Sequence, residues 1–239
     1  MYSFPNHLKK ACEMTFANEI EGRPVPVIKM EPTERGFLRS DFRDIYGTFC
    51  SLQESSLASE DAIWLGTNIE GVGGNRMHLD QNMVSAMLPY LTHFAKHGNL
   101  RLARIGVVGY CPPTKFDENE ARRAIIDAYD QLADLYPGQS IAIVSGLTDV
   151  GVLAIAYAEA QKRGWMTVGV ACERAMEHPL FPVNVPIVVG EKWGDESPMF
   201  VGMLDGMIRI GGGKQSIRET EEVKARGLPT LEYDVPIFD

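Results

Sequence analysis

Cationic residues are in short supply. The 239 residues carry 23 Lys and Arg against 32 Asp and Glu, a formal net charge of −9. No basic stripe exists to displace counterions from a polyanion, which excludes extended nucleic acid as the main partner. A small nucleotide held by backbone amides stays within reach of an acidic chain. Cysteine is also scarce: Cys12, Cys50, Cys111 and Cys172 are scattered and form no C-x-x-C pair, so neither a zinc site nor a disulfide framework is indicated. The histidines His7, His78, His93, His97 and His178 do not gather at ligand spacing, and no metal or resident cofactor is expected. No segment approaches the roughly 18 consecutive apolar residues of a membrane span. The opening MYSFPNHLKK lacks the charged-then-apolar order of a signal peptide. Reduced thiols and these absences together give a cytoplasmic protein with no membrane partner as the expectation. G-x-S-x-G and G-x-x-x-x-G-K-[ST] are both missing, which removes sequence support for a serine triad or a Walker loop. There is no internal repeat and no low-complexity segment.

What is present changes character near residue 99. Before it the chain is turn-rich and mixed. "YGTFCSLQESSL" and "EDAIWLGTN" read as two strands joined by a turn at Ser55 to Asp61. "RMHLDQNMVSAMLPYLTHFAKHG" reads as a short extended entry, an N-cap at Asp80 and a helix with Met83, Met87, Leu88, Leu91 and Phe94 on its apolar face. Residues 1–99 are therefore assigned to a small α+β domain. Residues 100–239 alternate short continuous apolar runs with helical patterns. The clearest helix carries Ala121, Ile125, Ala128, Tyr129 and Leu132 at helical spacing and stops at Pro137-Gly138. Such alternation implies βαβ units, and hence an α/β fold with a Rossmann-like parallel sheet covered by helices on both faces. In such sheets ligands lie beyond the carboxyl ends of the strands, near the switch point.

The predicted strand ends all carry glycine or a small residue: Gly109 and Tyr110, Ser145 and Gly146, Ala171 and Cys172, Gly190, and Gly211, Gly212 and Gly213. The last set opens "GGGKQSIRETEEVKARG", in which a helix over Ser216 to Arg226 would point free N–H groups and its positive end into the turn. Either this is a bare strand-to-helix connection, or it holds a phosphate with Lys214 as a point charge and Gln215 and Ser216 beside it. Ser216 serves as helix cap, phosphate ligand or both. Glu219, one turn in, is either a carboxylate settled by the helix dipole or a contact to a ribose hydroxyl and a general acid/base. Thr148 and Asp149 follow the Ser145-Gly146 turn, with Asp149 expected as the N-cap of the next helix. The loop "GEKWGDES" gathers Trp193, which can stack on a base, and Asp195 and Glu196, which can hold a ribose or move protons. Its plain alternative is a loop whose Asp195 or Ser197 caps the helix that follows.

A glycine-ended first strand, "VSG" opening the second βα unit, "GWMTVGVA", and a strand closing in "IGGGKQSIRE" together resemble the SLOG superfamily. That group includes the LOG-type "lysine decarboxylase-like" phosphoribohydrolases, the DprA/Smf proteins and the molybdenum-cofactor carriers. The resemblance covers roughly residues 101–239, with Ser216 and Glu219 at the Thr and Glu of the family's G-G-G-x-G-T-x-x-E. It implies a nucleotide-type ligand, AMP- or ADP-ribose-like, across Gly109, Ser145-Gly146 and Gly211 to Ser216. It also implies a homodimer, for which the apolar "MFVGML" gives the sequence's own support. Two departures stand out. Gln215 replaces a glycine of the motif. The helix before the glycine strand, "GDESPMFVGMLDG", lacks the Arg-Lys pair that the phosphoribohydrolases use with their Glu. Both departures favour binding, as a sensor or sequestering protein, over cleavage of an N-glycosidic bond; a scaffold with a vestigial crevice ranks third. Residues 40–98, around "SLQESSLASEDAIWLG" and "RMHL", are similar to small uncharacterised bacteriophage proteins, which implies a phage or prophage origin.

Overall fold

The structure is a computed structural model in which residues 19–20, 23–24, 28–57, 61–67 and 75–238 are described. The opening segment with His7 and Cys12, and Ala58 to Glu60 of the expected turn, lie outside them. The chain divides into two compact units, Met1–Val84 and Ser85–Asp239, with the helix α1 (Gln81–His97) running across the division.

The first unit holds the paired strands β1 (Glu19–Ile20) and β2 (Arg23–Pro24) and a five-stranded antiparallel sheet. That sheet runs in chain order through β3 (Glu31–Pro32), β4 (Leu38–Arg43), β5 (Phe49–Glu54), β6 (Ala62–Thr67) and β7 (Arg76–Asp80). Sequential neighbours pair because short turns can join antiparallel strands. Asp80 caps α1 as expected, its Oδ1 accepting from the Met83 N–H at 2.7 Å. The apolar stripe read for α1 coincides only in part with its buried face. Pro89 and His93 are buried, while Met83, Leu91 and Phe94 are each about half exposed. Leu88, from that stripe, and Tyr90, outside it, pack on the second unit's core.

The second unit is the α/β fold that the alternation implies. Its strands β8 (Leu102–Gly109), β10 (Ser140–Ser145), β11 (Met166–Ala171), β12 (Val185–Val188), β13 (Gly206–Ile210) and β14 (Thr230–Tyr233) form one sheet, ordered β12-β11-β10-β8-β13-β14. Every pairing is parallel. The two-residue strands β9 (Lys115–Phe116) and β15 (Ile237–Phe238) pair separately. The helices α2 (Glu118–Leu135) and α3 (Gly151–Lys162) cover one face, and α4 (Ser197–Gly202) and α5 (Lys214–Ala225) the other. Alternation along β8 sends Ala103, Ile105 and Val107 to the first face, and Leu102 and Val108 to the second. All five α2 residues picked by spacing are buried. Two buried tyrosines satisfy their hydroxyls on backbone: Tyr129 donates to the Ala156 carbonyl and Tyr157 to that of Val168.

Asp117 caps α2 by accepting from the N–H groups of Asn119 and Glu120 at 2.9 and 3.0 Å. Replacing it by alanine is expected to cost about 1 kcal/mol, read as a shifted urea midpoint at unchanged slope. Three other cap assignments fail. Asp149 does not cap α3: the Thr148–Leu180 bridge and the Asp149 N–H bond to Pro179 keep the chain extended, and Val150 takes the cap position without a side-chain bond. Ser197 lies inside α4, whose cap residue is Glu196. Asp195 turns backwards, its Oδ2 accepting from the N–H groups of Glu191 and Lys192. The glycine-turn helix also begins two residues early, at Lys214 with Gly213 as its cap, so Ser216 is a first-turn residue and not the cap.

Candidate functional site

The strand order reverses between β8 and β13, and the carboxyl ends of these two strands lie side by side. Gly109 pairs in register with Ile210, and the Tyr110 N–H donates to the Ile210 carbonyl at 3.2 Å. This is the switch point of the sheet, where crossovers depart in opposite directions and leave the strand ends uncovered. From β8 the chain passes to Tyr110, whose carbonyl accepts from the Val152 N–H at the start of α3. From β13 it passes through the three glycines into α5.

The glycines differ in what requires them. Gly211 is buried, its N–H donates to Tyr233 and its carbonyl accepts from Arg209. At φ +57° a Cβ there would sit 2.0 Å from Cε2 of the Tyr110 ring. Packing within the protein therefore dictates Gly211. Gly212, at φ +101°, faces Ser216, and Gly213 is exposed with nothing within 4 Å of where a Cβ would stand. The N–H groups of Lys214, Gln215 and Ser216 belong to the first turn of α5 and have no acceptor within the helix. Only from Ile217 onward does the ladder begin, with its N–H donating to Gly213. Lys214 to Ser216 is thus the stretch whose backbone donors the helix leaves without a partner.

Beside this turn lies a polar cluster that joins α4 to α5. Glu219 is buried, and its Oε1 accepts from the Ser197 hydroxyl at 2.5 Å and the Gln215 amide at 2.9 Å. The same amide reaches the Ser197 hydroxyl at 3.2 Å and Oε1 of Glu196 at 3.4 Å. Glu196 is also buried, its Oε2 accepting from the Gly194 N–H. Arg218 donates to the Ser197 hydroxyl at 3.2 Å. Burial pushes the Glu219 carboxyl above the ordinary carboxylate range. Its bonds from Ser197 and Gln215 and the charge of Arg218 pull the other way, and Glu196 adds to the rise.

A carboxyl that holds its proton more tightly when folded stabilises the protein below its unfolded pKa, and that stability is lost as pH rises through the folded value. Glu219→Gln keeps the acceptor oxygen and removes the titration. Urea midpoints of this variant should therefore lose the part of the fall that wild type shows above about pH 4.5. Identical pH profiles for the two proteins would contradict the assignment.

The remaining expected residues divide. Ser145 is buried, and its hydroxyl donates to the Val107 carbonyl at 2.6 Å, away from the rim. Gly146 is partly exposed, and its carbonyl accepts from Tyr157. Thr148 is occupied in its bridge to Leu180. Trp193 is half exposed and tilts against His178 at 5.8 Å. Lys214 is exposed at the mouth of the turn. Burial pushes the thiol of Cys111, next along the chain, up to about 11. Sequence reasoning singled out neither Arg218 nor the bonding role of Ser197, because both meet Glu219 through tertiary packing with no short spacing to announce it. The "MFVGML" segment that suggested pairing is turned inward: Phe200, Val201, Met203 and Leu204 are all in the core. Among the described residues, no group of three or more His, Cys, Asp or Glu is placed to hold a metal. No helix is long and apolar enough to cross a membrane among the same residues.

No protein-family model matches the chain, and no curated protein does. Among solved structures, the molybdenum cofactor carrier protein from Chlamydomonas reinhardtii is 20% identical with a TM-score of 0.44, over 55% of this chain and 76% of that one. The molybdenum cofactor binding protein from the phototrophic bacterium Rippkaea orientalis is 22% identical with a TM-score of 0.45, over 57% of this chain and 78% of that one.

Proposed function

We propose that this protein binds a nucleotide or nucleotide-derived ligand, AMP- or ADP-ribose-like, at the carboxyl edge of its parallel sheet, as a sensor or sequestering protein. The observation that carries this reading is the turn Gly212 to Ser216 at the switch point. Backbone donors without a helix partner, the positive end of a twelve-residue helix and an exposed glycine coincide there. A phosphate needs no more than this, and Lys214 adds a charge at the mouth. The sugar and base then extend along Gly109, Tyr110 and Gly146, and Trp193, half exposed, is the aromatic proposed to stack on the base.

Cleavage of the N-glycosidic bond is the second reading, and one observation favours it. Glu219 has its pKa raised by burial, the condition a general acid needs near neutral pH. Against it, the Glu219 oxygen already accepts two hydrogen bonds, and α4 carries no Arg or Lys to balance developing charge.

A thermal-shift panel of nucleotides tests binding, because a ligand at a hundred times its dissociation constant adds about 2.7 kcal/mol of stability. Mass spectrometry of small molecules released on denaturation names the ligand; a pterin phosphate in place of a nucleotide would keep the site and change the class. No shift with any nucleotide at millimolar concentration would overturn the proposal. Release of free base by wild type, lost in Glu219→Gln with binding retained, would establish the enzyme instead.

A further inference from the structure

The polar cluster under the glycine turn is more than a brace between helices. Two buried carboxyls, Glu196 and Glu219, share a single neutral amide, that of Gln215. Gln215 is itself the second residue of α5, so its backbone N–H is among those the helix leaves without a partner. The groups facing Glu219 are Gln215 and Arg218 on its own helix, Ser197 on α4 and Glu196 from the loop before it. Arg218 is the single cation among them. It bonds Ser197 and also approaches Glu222 at 3.7 Å, with more than half its side chain exposed. Its charge is therefore shared and screened by solvent.

Resting on the nucleotide-binding reading above, we propose that anion binding at the first turn of α5 is coupled to protonation of Glu219, so that ligand and proton are taken up together. The physical cause is electrostatic. Ser216 lies three residues from Glu219, about 4.5 Å along the helix axis at 1.5 Å per residue. A phosphate on the turn amides thus places a second negative charge above a carboxyl that already has Glu196 beside it and little water to screen it. Protonation removes the repulsion without dismantling the cluster. A neutral carboxyl keeps Oε1 to accept from Gln215 and Ser197. Linkage makes the effect reciprocal: if the anion favours the protonated form, lower pH favours the anion. Glu219 so acts as a positioning and selecting group, favouring occupancy in acidified surroundings and release as pH rises.

Calorimetric titration with ADP-ribose provides the test, because its pyrophosphate carries fixed charge and does not itself titrate near neutrality. Binding enthalpies in several buffers of different ionisation enthalpy give the number of protons taken up. Wild type is expected to take up a substantial fraction of one proton, with affinity falling by up to about tenfold per pH unit across the window in which Glu219 titrates. Glu219→Gln is expected to bind with no proton exchange and a flat pH profile. Binding by wild type with no buffer dependence would overturn this inference and leave the nucleotide site standing. Proton uptake that persists in Glu219→Gln would assign it to another group and would overturn the inference equally. Failure of wild type to bind ADP-ribose at any pH would count against the binding reading as well as the coupling.

Discussion

Gly211→Ala is expected to cost about 2–4 kcal/mol of folding free energy. Two separate effects add at this position. The backbone sits at φ +57°, where a residue with a Cβ is strained by about 1 kcal/mol. The new Cβ also falls 2.0 Å from Cε2 and 2.5 Å from Cζ of Tyr110. That ring cannot yield freely. It stacks on Phe116 at 5.8 Å between centroids, and its own backbone bonds both Ile210 and Val152. Forcing an extra carbon into such a contact costs about 1–3 kcal/mol. The two effects separate in a double-mutant cycle, since in a Tyr110→Ala background only the backbone strain remains. Urea unfolding should then give about 1 kcal/mol for Gly211→Ala. An equal cost in both backgrounds would show that the ring is not what requires this glycine.

Gly212→Val should abolish nucleotide binding, by at least about a hundredfold, which is about 2.7 kcal/mol. At φ +101° a β-branched residue is a genuine outlier. Its Cβ would stand 2.7 Å from the Ser216 side chain and 3.2 Å from the Gly109 carbonyl carbon. The turn must re-form to accept it, and the N–H groups of Gly213 to Ser216 change direction when it does. The fold itself should survive, because the buried strand ends at Ile210 and the helix is anchored from Glu219 onward. Circular dichroism should look like wild type, with the unfolding midpoint lowered by an amount typical of a single strained turn, about 1–3 kcal/mol. Gly213→Ala supplies the control. Its φ of −92° suits alanine, and nothing lies within 4 Å of the added carbon. Stability should therefore stay within about 0.5 kcal/mol of wild type, so any loss of binding reports on ligand approach alone. Wild-type affinity in Gly212→Val would move the ligand elsewhere.

The parallel sheet was legible because buried strands need no alternation. "IGVV", "IAIV", "VGVA" and "MIRI" stand as short apolar runs punctuated by glycine, and the helices between them carry a 3.6-residue pattern. The α2 face is the clearest case, with all five chosen residues in the core. Cap positions were less legible, since the preference of Asp and Ser for helix starts is local and longer-range bonds outweigh it. Asp149 is carried past the cap by the bridge to Leu180, and Asp195 spends its carboxylate on the turn before it. Helix α1 was legible only in part: of its apolar stripe Leu88 packs on the core, while Met83, Leu91 and Phe94 stay about half exposed and His93 is buried instead.

At the candidate site, the glycine turn announced a close approach, though not of what. For Gly211 the approaching group is the Tyr110 ring; for Gly213 the space is open. Glu219 and Glu196 were picked as separate carboxylates. Their joining through Gln215 connects residues 19 and four positions apart in the chain, which only packing of α4 against α5 can produce. Gln215 thus has a physical role in this turn: its amide ties the two carboxyls to the helix start.

Amide chemical-shift mapping with ADP-ribose tests the central claim most directly. On a nitrogen-15-labelled sample, the largest shifts should fall on Gly212 to Ser216 and on Gly109, Tyr110 and Gly146, with the five-stranded sheet of the first unit unaffected. Shifts confined to that sheet, or no shifts at a saturating concentration, would contradict a nucleotide site at the carboxyl edge of the parallel sheet.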